Sequence, residues 1–258
     1  MSEQAIYGDT AYYGVKLINR SGNGTLPVGE HDFAEAMDRC VLVDKTMFIA
    51  DVLDADASVV ACCRPEGFGK SMNLSMLKAF LERPTGQVDR GLFAGSQIWD
   101  AGGGRYRGEY ACYPVVSLDF SGAAGSGAVV AGVVRDALSS ECVRLLPFLE
   151  APDLPRDKVR HIERVARGAA NEDEVDSVLA VLIELLEMAF DEQVVLLVDG
   201  YDAAWLSRAG IRGTRDDGSA ELLDRVLFDA IVAAGDSMRL ACLMGDRPGP
   251  AGAALALR

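Results

Sequence analysis

The sequence predicts an α/β fold, in which a parallel sheet carries helices on both faces. Short apolar runs rich in β-branched residues alternate along the chain with longer amphipathic stretches, a pattern typical of strands joined by crossover helices. Hydrophobic residues make up 50% and charged residues 25% of the 258 residues, the composition of an ordinary globular protein. A chain of this length buries enough surface to fold without a disulfide or a metal.

Four apolar runs bounded by turn signals are predicted as strands, and the first is expected to be buried on both faces. They lie at 58–63, 114–120, 194–198 and 238–244. Stretches with apolar side chains at helical spacing are predicted as helices. They lie at 32–38, 47–53, 70–81, 127–149, 157–170, 172–190 and 220–234.

Local signals set where these elements begin and end. Asp32 is expected to cap the first helix, and Pro84 to end the third. Residues 83–113 contain many turn signals and are predicted to form an irregular insertion. Residues 1–25 are polar with scattered glycines, and are predicted to be a flexible N-terminal lead-in. A single domain is expected over 26–250, followed by a C-terminal tail at 251–258.

The composition also indicates a compartment. The N-terminal residues lack the basic and apolar regions of a signal peptide, and no apolar stretch reaches the roughly 18 residues of a membrane span. The six cysteines form no CxxC pair and no zinc-like cluster with histidine. We therefore expect a reduced, cytoplasmic protein without a membrane segment.

The net charge of −14, from 25 basic and 39 acidic residues, argues against nucleic acid as a partner. Proteins that bind nucleic acid usually present a basic face to the phosphates. The basic residues between Arg156 and Arg167 are instead expected to form a solvated helix face. An acidic surface is compatible with protein partners or a homo-oligomer, and does not exclude a small anion held by one loop.

Gly69-Lys70-Ser71 follows a predicted strand and opens a predicted helix, which is the context of a phosphate-binding loop. Backbone N–H groups and the helix dipole favour an anion at such a position. The full signature has a glycine where this chain has Arg64, so the tripeptide alone leaves an ordinary strand–helix turn as the alternative. Asp199 ends the third strand, where it would either bind magnesium or simply cap a core strand.

Several blocks of the chain, in order, resemble one family. The segment RPEGFGKSMNLSMLKAFL at 64–81 resembles the block RPRRFGKS–LNLSML–FF of the prokaryotic AAA-ATPase-like family, whose phosphate loop has a degenerate first glycine. Four more blocks agree, LPVGE with DF at 26–33, LVDKTMFI at 42–49, YPVVSLDFS at 113–121 and VLLVDGYD at 195–202, and a weaker one lies at 240–247. The resemblance implies a P-loop NTPase-type parallel sheet.

The resemblance also implies that the chain binds ATP and Mg²⁺. The nucleotide-binding residues would be those of the loop and the start of its helix, namely Arg64, Pro65, Glu66, Gly67, Phe68, Gly69, Lys70, Ser71 and Met72. Lys70, Asp199 and Asp202 would be catalytic. Ser71 and Asp199 would bind the magnesium ion. The block that contains Asp44 and Lys45 would either contact the nucleotide or dock the lead-in segment on the core.

Three positions depart from the family pattern. Gly200 stands where the family has the glutamate that polarises the attacking water. Hydrolysis is therefore expected to be weak or absent, and a gain of hydrolysis in Gly200→Glu would identify the lost carboxylate as the reason. Asp202 or Asp119 could replace that glutamate through a bridging water. Glu66 stands where the family has arginine, and Met244 where it has threonine.

Two other hypotheses share this fold. In the first, Glu66 repels phosphate and the chain is a degenerate interaction module that binds no nucleotide. In the second, the chain is a small-molecule kinase, which would need an acceptor pocket and a lid for which the sequence offers no candidate. If the chain is an active enzyme, it is expected to be an ATPase.

Overall fold

The computed structural model describes residues 16–20, 22, 24–84, 86, 91–204 and 219–247. The chain divides into two units. The first contains the residues up to Asp56 together with Gly69–Cys112, and the second contains Ala57–Phe68 and the residues from Tyr113 onward. The predicted tail at 251–258 and residues 1–15 of the predicted lead-in lie outside the described residues.

In its described residues, the first unit combines a two-stranded antiparallel sheet with four helices. The strands are β1, Leu17–Asn19, and β2, Val41–Val43. The helices are α1, Phe33–Arg39, α2, Met47–Leu53, α3, Lys70–Leu81, and α4, Gln97–Asp100. The predicted helices α1, α2 and α3 are confirmed. The cap on α1 is also confirmed, because Asp32 Oδ1 accepts a hydrogen bond from the Glu35 N–H at 2.8 Å.

Two features of the first unit differ from the sequence-based expectation. Strand β1 lies inside the segment predicted as a loose lead-in. The region predicted as an irregular insertion contains α4 and is anchored by aromatic packing: the Phe93 ring stacks on Phe33 at 5.3 Å and meets the edge of Phe80 at 5.0 Å. Apolar contacts therefore hold a segment whose sequence is dominated by turn residues.

The second unit is built on a four-stranded parallel sheet. Its strands are β3, Val59–Cys63, β4, Val115–Asp119, β5, Val194–Asp199, and β6, Met238–Gly245. Their order across the sheet is β3-β6-β5-β4, so that β6 separates β3 from β5. All four predicted strands are confirmed, as is the predicted α/β class with a parallel sheet flanked by helices.

The helices of the second unit pack around this sheet and share one apolar core with it. They are α5, Gly127–Leu145, α6, Arg156–Ala166, α7, Glu172–Phe190, α8, Ser219–Leu223, and α9, Ala230–Ala234. A capping box starts α7, in which the Asn171 side chain and Glu174 exchange hydrogen bonds. The predicted helix at 220–234 differs in its middle, because residues Asp224–Asp229 are π-helical.

The expectation that β3 is buried on both faces is wrong. In the described sheet β3 is an end strand, and its residues are half-buried or, at Ala61, exposed. An apolar run shows that a strand can be covered, but its position in the sheet depends on tertiary topology.

At the opposite end of the sheet, two side chains from α5 cover the outer edge of β4. Glu141, which is buried, accepts a hydrogen bond from the Ser117 N–H at 2.6 Å, and Arg144 donates one to the Val115 carbonyl at 2.7 Å. The two side chains also form an ion pair with an N–O distance of 2.6 Å. Together they satisfy backbone groups that an adjacent strand would otherwise pair with.

Candidate functional site

The loop at 64–68 leaves the end of β3 and is exposed throughout. Its first residue is held to the neighbouring strand, since the Arg64 N–H donates to the Gly245 carbonyl at 3.0 Å. The Arg64 guanidinium donates to the Cys63 carbonyl at 2.8 Å. Gly67 has a φ of +82°, and an added Cβ there would meet no atom within 4 Å. The loop is therefore fixed by hydrogen bonds where it begins, and it has free space around Gly67.

The start of α3 has the backbone conformation of an anion-binding helix end. Gly69 is the N-cap residue in the left-handed region, with φ +77° and ψ +30°, so a glycine is favoured there. Lys70, Ser71 and Met72 form the first turn and are half-buried. This first turn contains no acidic side chain. Its N–H groups lie at the positive end of the helix dipole, which attracts anions.

Asp44 is a structural residue of the first unit. It is buried, and its carboxylate accepts hydrogen bonds from the Thr46 N–H at 3.0 Å, the Thr46 hydroxyl at 2.6 Å and the Gln97 N–H at 2.9 Å. The Thr46 hydroxyl in turn accepts from the Ile98 N–H at 3.1 Å. Two roles were expected for this block, nucleotide contact or docking of the lead-in segment on the core. Asp44 has a docking role, but the segment that it holds is α4.

Lys45 lies between these two buried residues but is itself exposed. Its Nζ is 3.8 Å from the position that a Cβ on Gly69 would occupy, at the N-cap of α3. The docking expectation therefore does not describe Lys45.

Asp199, the predicted magnesium ligand, ends β5 and is buried. Its partner in the parallel ladder is Asp119, the last residue of β4, and the Phe120 N–H donates to the Asp199 carbonyl at 2.8 Å. Paired residues on neighbouring strands point to the same face and are about 5 Å apart. The register therefore brings two carboxylate-bearing residues side by side at the carboxyl edge of the sheet, as expected for Asp119.

Gly200 follows Asp199 in a conformation that accepts no side chain. Its φ is +67°, and an added Cβ would lie 2.4 Å from the Ser121 backbone nitrogen and 2.8 Å from the Phe120 carbonyl carbon. Both neighbours are backbone atoms, which cannot rotate away. This geometry argues against a gain of hydrolysis in Gly200→Glu.

Asp202 is buried, and its carboxylate is committed to the loop that follows β6. Its Oδ2 accepts hydrogen bonds from the Asp246 N–H at 2.9 Å and the Arg247 N–H at 2.8 Å. The Tyr201 hydroxyl donates to the Arg247 carbonyl at 3.1 Å. Burial raises the pKa of the Asp202 carboxyl above its ordinary value, although these backbone N–H groups act in the opposite direction. The contacts favour a positioning role over the predicted catalytic one.

A cavity of about 470 Å³ opens beside the outer edge of β4. It is lined by Ser117, Asp119, Val133, Asp136, Ala137, Ser140, Glu141 and Arg144. The exposed Asp119 carboxylate is accessible from this cavity, and its Oδ1 accepts a hydrogen bond from the Ser121 N–H at 2.8 Å. Water can therefore approach Asp119, in contrast to the buried Asp202.

The chain matches one known protein family over most of its length. A family model described as "Predicted AAA-ATPase" matches residues 27–246, which is most of the chain. The chain belongs to this AAA-ATPase-like family. No curated protein and no solved structure matches it. Membership of the AAA-ATPase-like family supports nucleotide binding in general terms.

The described residues of this AAA-ATPase-like chain also bear on the membrane and metal expectations. Among them, no helix is both long and apolar enough to cross a membrane. No group of three or more histidine, cysteine or acidic residues is arranged to hold a metal in the same part of the chain. A magnesium ion bound with a nucleotide needs only one or two carboxylates besides phosphate and water oxygens. The absence of a three-residue cluster therefore says nothing about the expected magnesium ion.

Two features of the AAA-ATPase-like site were missed by sequence reasoning. The proximity of Lys45 to Gly69 joins segments that lie 24 positions apart in the sequence. The crowding at Gly200 comes from residues 120 and 121, about 80 positions earlier. Both are tertiary contacts, and no local pattern signals them.

Proposed function

We propose that the chain binds ATP with Mg²⁺ and hydrolyses it weakly or not at all. The observation that carries the proposal is the left-handed Gly69 at the N-cap of α3, followed by Lys70 and Ser71, in a member of the AAA-ATPase-like family. A glycine-capped helix start offers backbone N–H groups to the phosphates, and a lysine in its first turn adds a positive charge. The proposed nucleotide-binding residues remain those of 64–72.

The magnesium ion would be held by Ser71 and Asp199 together with phosphate oxygens. A hydroxyl and a carboxylate are the hard oxygen ligands that Mg²⁺ prefers, so the residues fit the ion. When bound, the ion neutralises charge that develops on the phosphates. Lys70 would contact the same phosphates as a point charge.

Weak hydrolysis follows from the end of β5. Gly200 supplies no carboxylate, and Asp202 is buried and engaged with the backbone of 246 and 247. Asp119 is the exposed acid beside Asp199 in the ladder and the better candidate to orient a water for residual turnover. Losing a positioned general base costs about 10²–10⁴ in rate.

The cysteines and the surface charge bear on the cellular compartment and the binding partners that we propose. The six cysteines all lie among the described residues and form no disulfide there, which fits a reducing compartment such as the cytoplasm. The acidic surface fits protein partners or a homo-oligomer, and the basic residues of α6 are partly neutralised, since Lys158 and Arg164 form ion pairs with Glu184 and Glu174.

One observation favours the alternative of a degenerate interaction module. Glu66 is exposed within the phosphate loop, where a carboxylate repels an anion. If this repulsion dominates, the fold persists and the loop binds no phosphate.

Thermal unfolding with and without ATP and Mg²⁺ distinguishes the two functions, with Lys70→Ala as the comparison. A ligand at 100 times its dissociation constant stabilises the folded state by about 2.7 kcal/mol. We expect this increase for the wild type and its loss in Lys70→Ala. If millimolar ATP leaves the wild-type melting temperature unchanged, the interaction module is correct.

A further inference from the structure

The conformation around Lys45 is unusual for an exposed lysine. The residues on either side are buried and locked by hydrogen bonds: Asp44 to Thr46 and Gln97, and Thr46 to Ile98. The Asp44 N–H also donates to the Lys16 carbonyl at 2.8 Å. The backbone therefore holds Lys45 in one place, although a lysine in solvent needs no such support.

The Lys45 ammonium lies at the N-terminal end of a helix. Its Nζ lies 3.8 Å from the Cβ position of Gly69, at the positive end of the α3 dipole and next in sequence to Lys70. Cations are normally disfavoured at a helix N-terminus. Within the described part of the chain, the Lys45 ammonium makes no hydrogen bond and no ion pair, and the first turn of α3 offers it no acidic side chain.

We propose that Lys45 is a second phosphate-binding lysine of the ATP site. This inference rests on the proposed function. An anion at the N-terminus of α3 would lie against both the Lys45 ammonium and the positive end of the helix dipole. The role of the buried Asp44 and Thr46 is then to hold Lys45 in position before the phosphate arrives.

The proposal also accounts for Gly69 beyond its backbone conformation. A side chain there would project toward the Lys45 Nζ and occupy space between the ammonium and the helix end. Glycine leaves that space to a phosphate oxygen.

The test compares Lys45→Ala with Lys78→Ala. Lys78 lies in the last turn of the same helix, about 12 Å from Lys70 along the axis, where its charge is favourable to the dipole. Each variant removes one positive charge, Lys45→Ala at the beginning of α3 and Lys78→Ala at its end. Affinity is measured by calorimetry for ATP with Mg²⁺ and for inorganic tripolyphosphate, and the melting temperature is measured without ligand.

We expect Lys45→Ala to lower the affinity for both ligands about tenfold, which is the effect of losing one charge-assisted hydrogen bond. The same factor for tripolyphosphate would place the contact on the phosphates rather than on the base. Without ligand, Lys45→Ala should melt at the same temperature as the wild type or higher, because a repulsive charge is gone. Lys78→Ala should keep its affinity within about twofold and melt lower. Lys45→Arg should recover part of the affinity.

Each contrary result has one meaning. Equal affinity of Lys45→Ala and the wild type overturns the inference and leaves the proposed function in place. Weaker binding together with a fall in the ligand-free melting temperature as large as that of Lys78→Ala assigns Lys45 to folding, and overturns it too. If the wild type binds neither ATP nor tripolyphosphate, the proposed function fails and this inference with it.

Discussion

The loop after β3 and the turn after β5 both place glycines at positive φ, and the space around those glycines differs. In the loop after β3, an added Cβ at Gly67 would meet no atom within 4 Å, and at Gly69 the nearest atom would be the Lys45 Nζ at 3.8 Å. After β5, an added Cβ at Gly200 would lie 2.4 Å from the Ser121 backbone nitrogen. The first segment leaves room for a ligand, whereas the second is closed by the protein's own backbone.

The comparison changes how the missing glutamate is understood. A glutamate at position 200 could orient a water only if its side chain had space to enter the site. At Gly200 the end of β4 occupies that space. A glutamate at position 200 would therefore require the backbone at residues 120 and 121 to move as well.

The largest expected effect tests this difference directly, by comparing Gly200→Ala with Gly67→Ala. Both substitutions place a side chain at positive φ, which costs about 1–2 kcal/mol of stability. Only Gly200→Ala adds a clash with backbone, for about 1–3 kcal/mol more. Denaturant unfolding of the two variants measures the extra cost. If the two lose equal stability, the strand ends move apart easily and the comparison fails. Gly200→Glu shares the clash and should lose stability without gaining turnover.

The next effect concerns the carboxylate that remains beside Asp199. If the wild type hydrolyses ATP at all, Asp119→Asn should lower that rate about 10²-fold or more, because the base that orients the water is gone. Affinity for ATP should stay the same, and the asparagine Oδ1 can still accept the Ser121 N–H bond. A phosphate-release assay under single-turnover conditions measures the rate.

Asp136→Asn is the matched control, because Asp136 is exposed and lines the same cavity as Asp119. It removes an equal charge, and we expect it to leave turnover unchanged. A similar rate for Asp119→Asn and the wild type would show that Asp119 has no part in the reaction.

The smallest expected effect is on the pH dependence of stability, and it tests whether Asp202 has a positioning or a catalytic role. Burial raises the pKa of the folded Asp202 carboxyl above its unfolded value of about 3.9, so the folded state binds this proton more tightly. Asp202 therefore contributes stability below pH 4 that is lost as the pH rises through the folded pKa. Asp202→Asn, which stays neutral, should match the wild type within about 1 kcal/mol at pH 4 and gain on it toward pH 7.

Unfolding free energies of both proteins across this pH range measure the change. A constant difference between them at every pH would contradict the effect of burial on Asp202. Loss of turnover in Asp202→Asn with unchanged stability would return this residue to the catalytic group.

The strands of the sheet and most of the helices could be predicted because each shows its periodicity over at least five residues. Strands β1 and β2 have three residues each, too few to display alternation. The exposure of β3 also escaped prediction, since an apolar run does not say which strand lies at the end of a sheet.

The candidate site divides in the same way. The loop at 64–72 and Asp199 are recognisable because their residue types follow the chain in a fixed order. The roles of Asp44, Lys45 and Asp202 depend on contacts with residues 97, 69 and 247, which no local pattern contains. The fold class and the family could therefore be predicted from the sequence, whereas the contacts that each charged side chain makes could not.

The side chains that cover β4 also restrict how copies of this protein can assemble. A second molecule that tried to extend the sheet at this edge would have to break the Glu141–Arg144 ion pair and replace its bonds to Ser117 and Val115. Because Glu141 is buried, separating it from Arg144 would leave a buried carboxylate without its counter-charge, which is unfavourable. A homo-oligomer of this chain would thus use side-chain surfaces in place of strand addition at β4, and the protein is protected there against growth into a continuous intermolecular sheet.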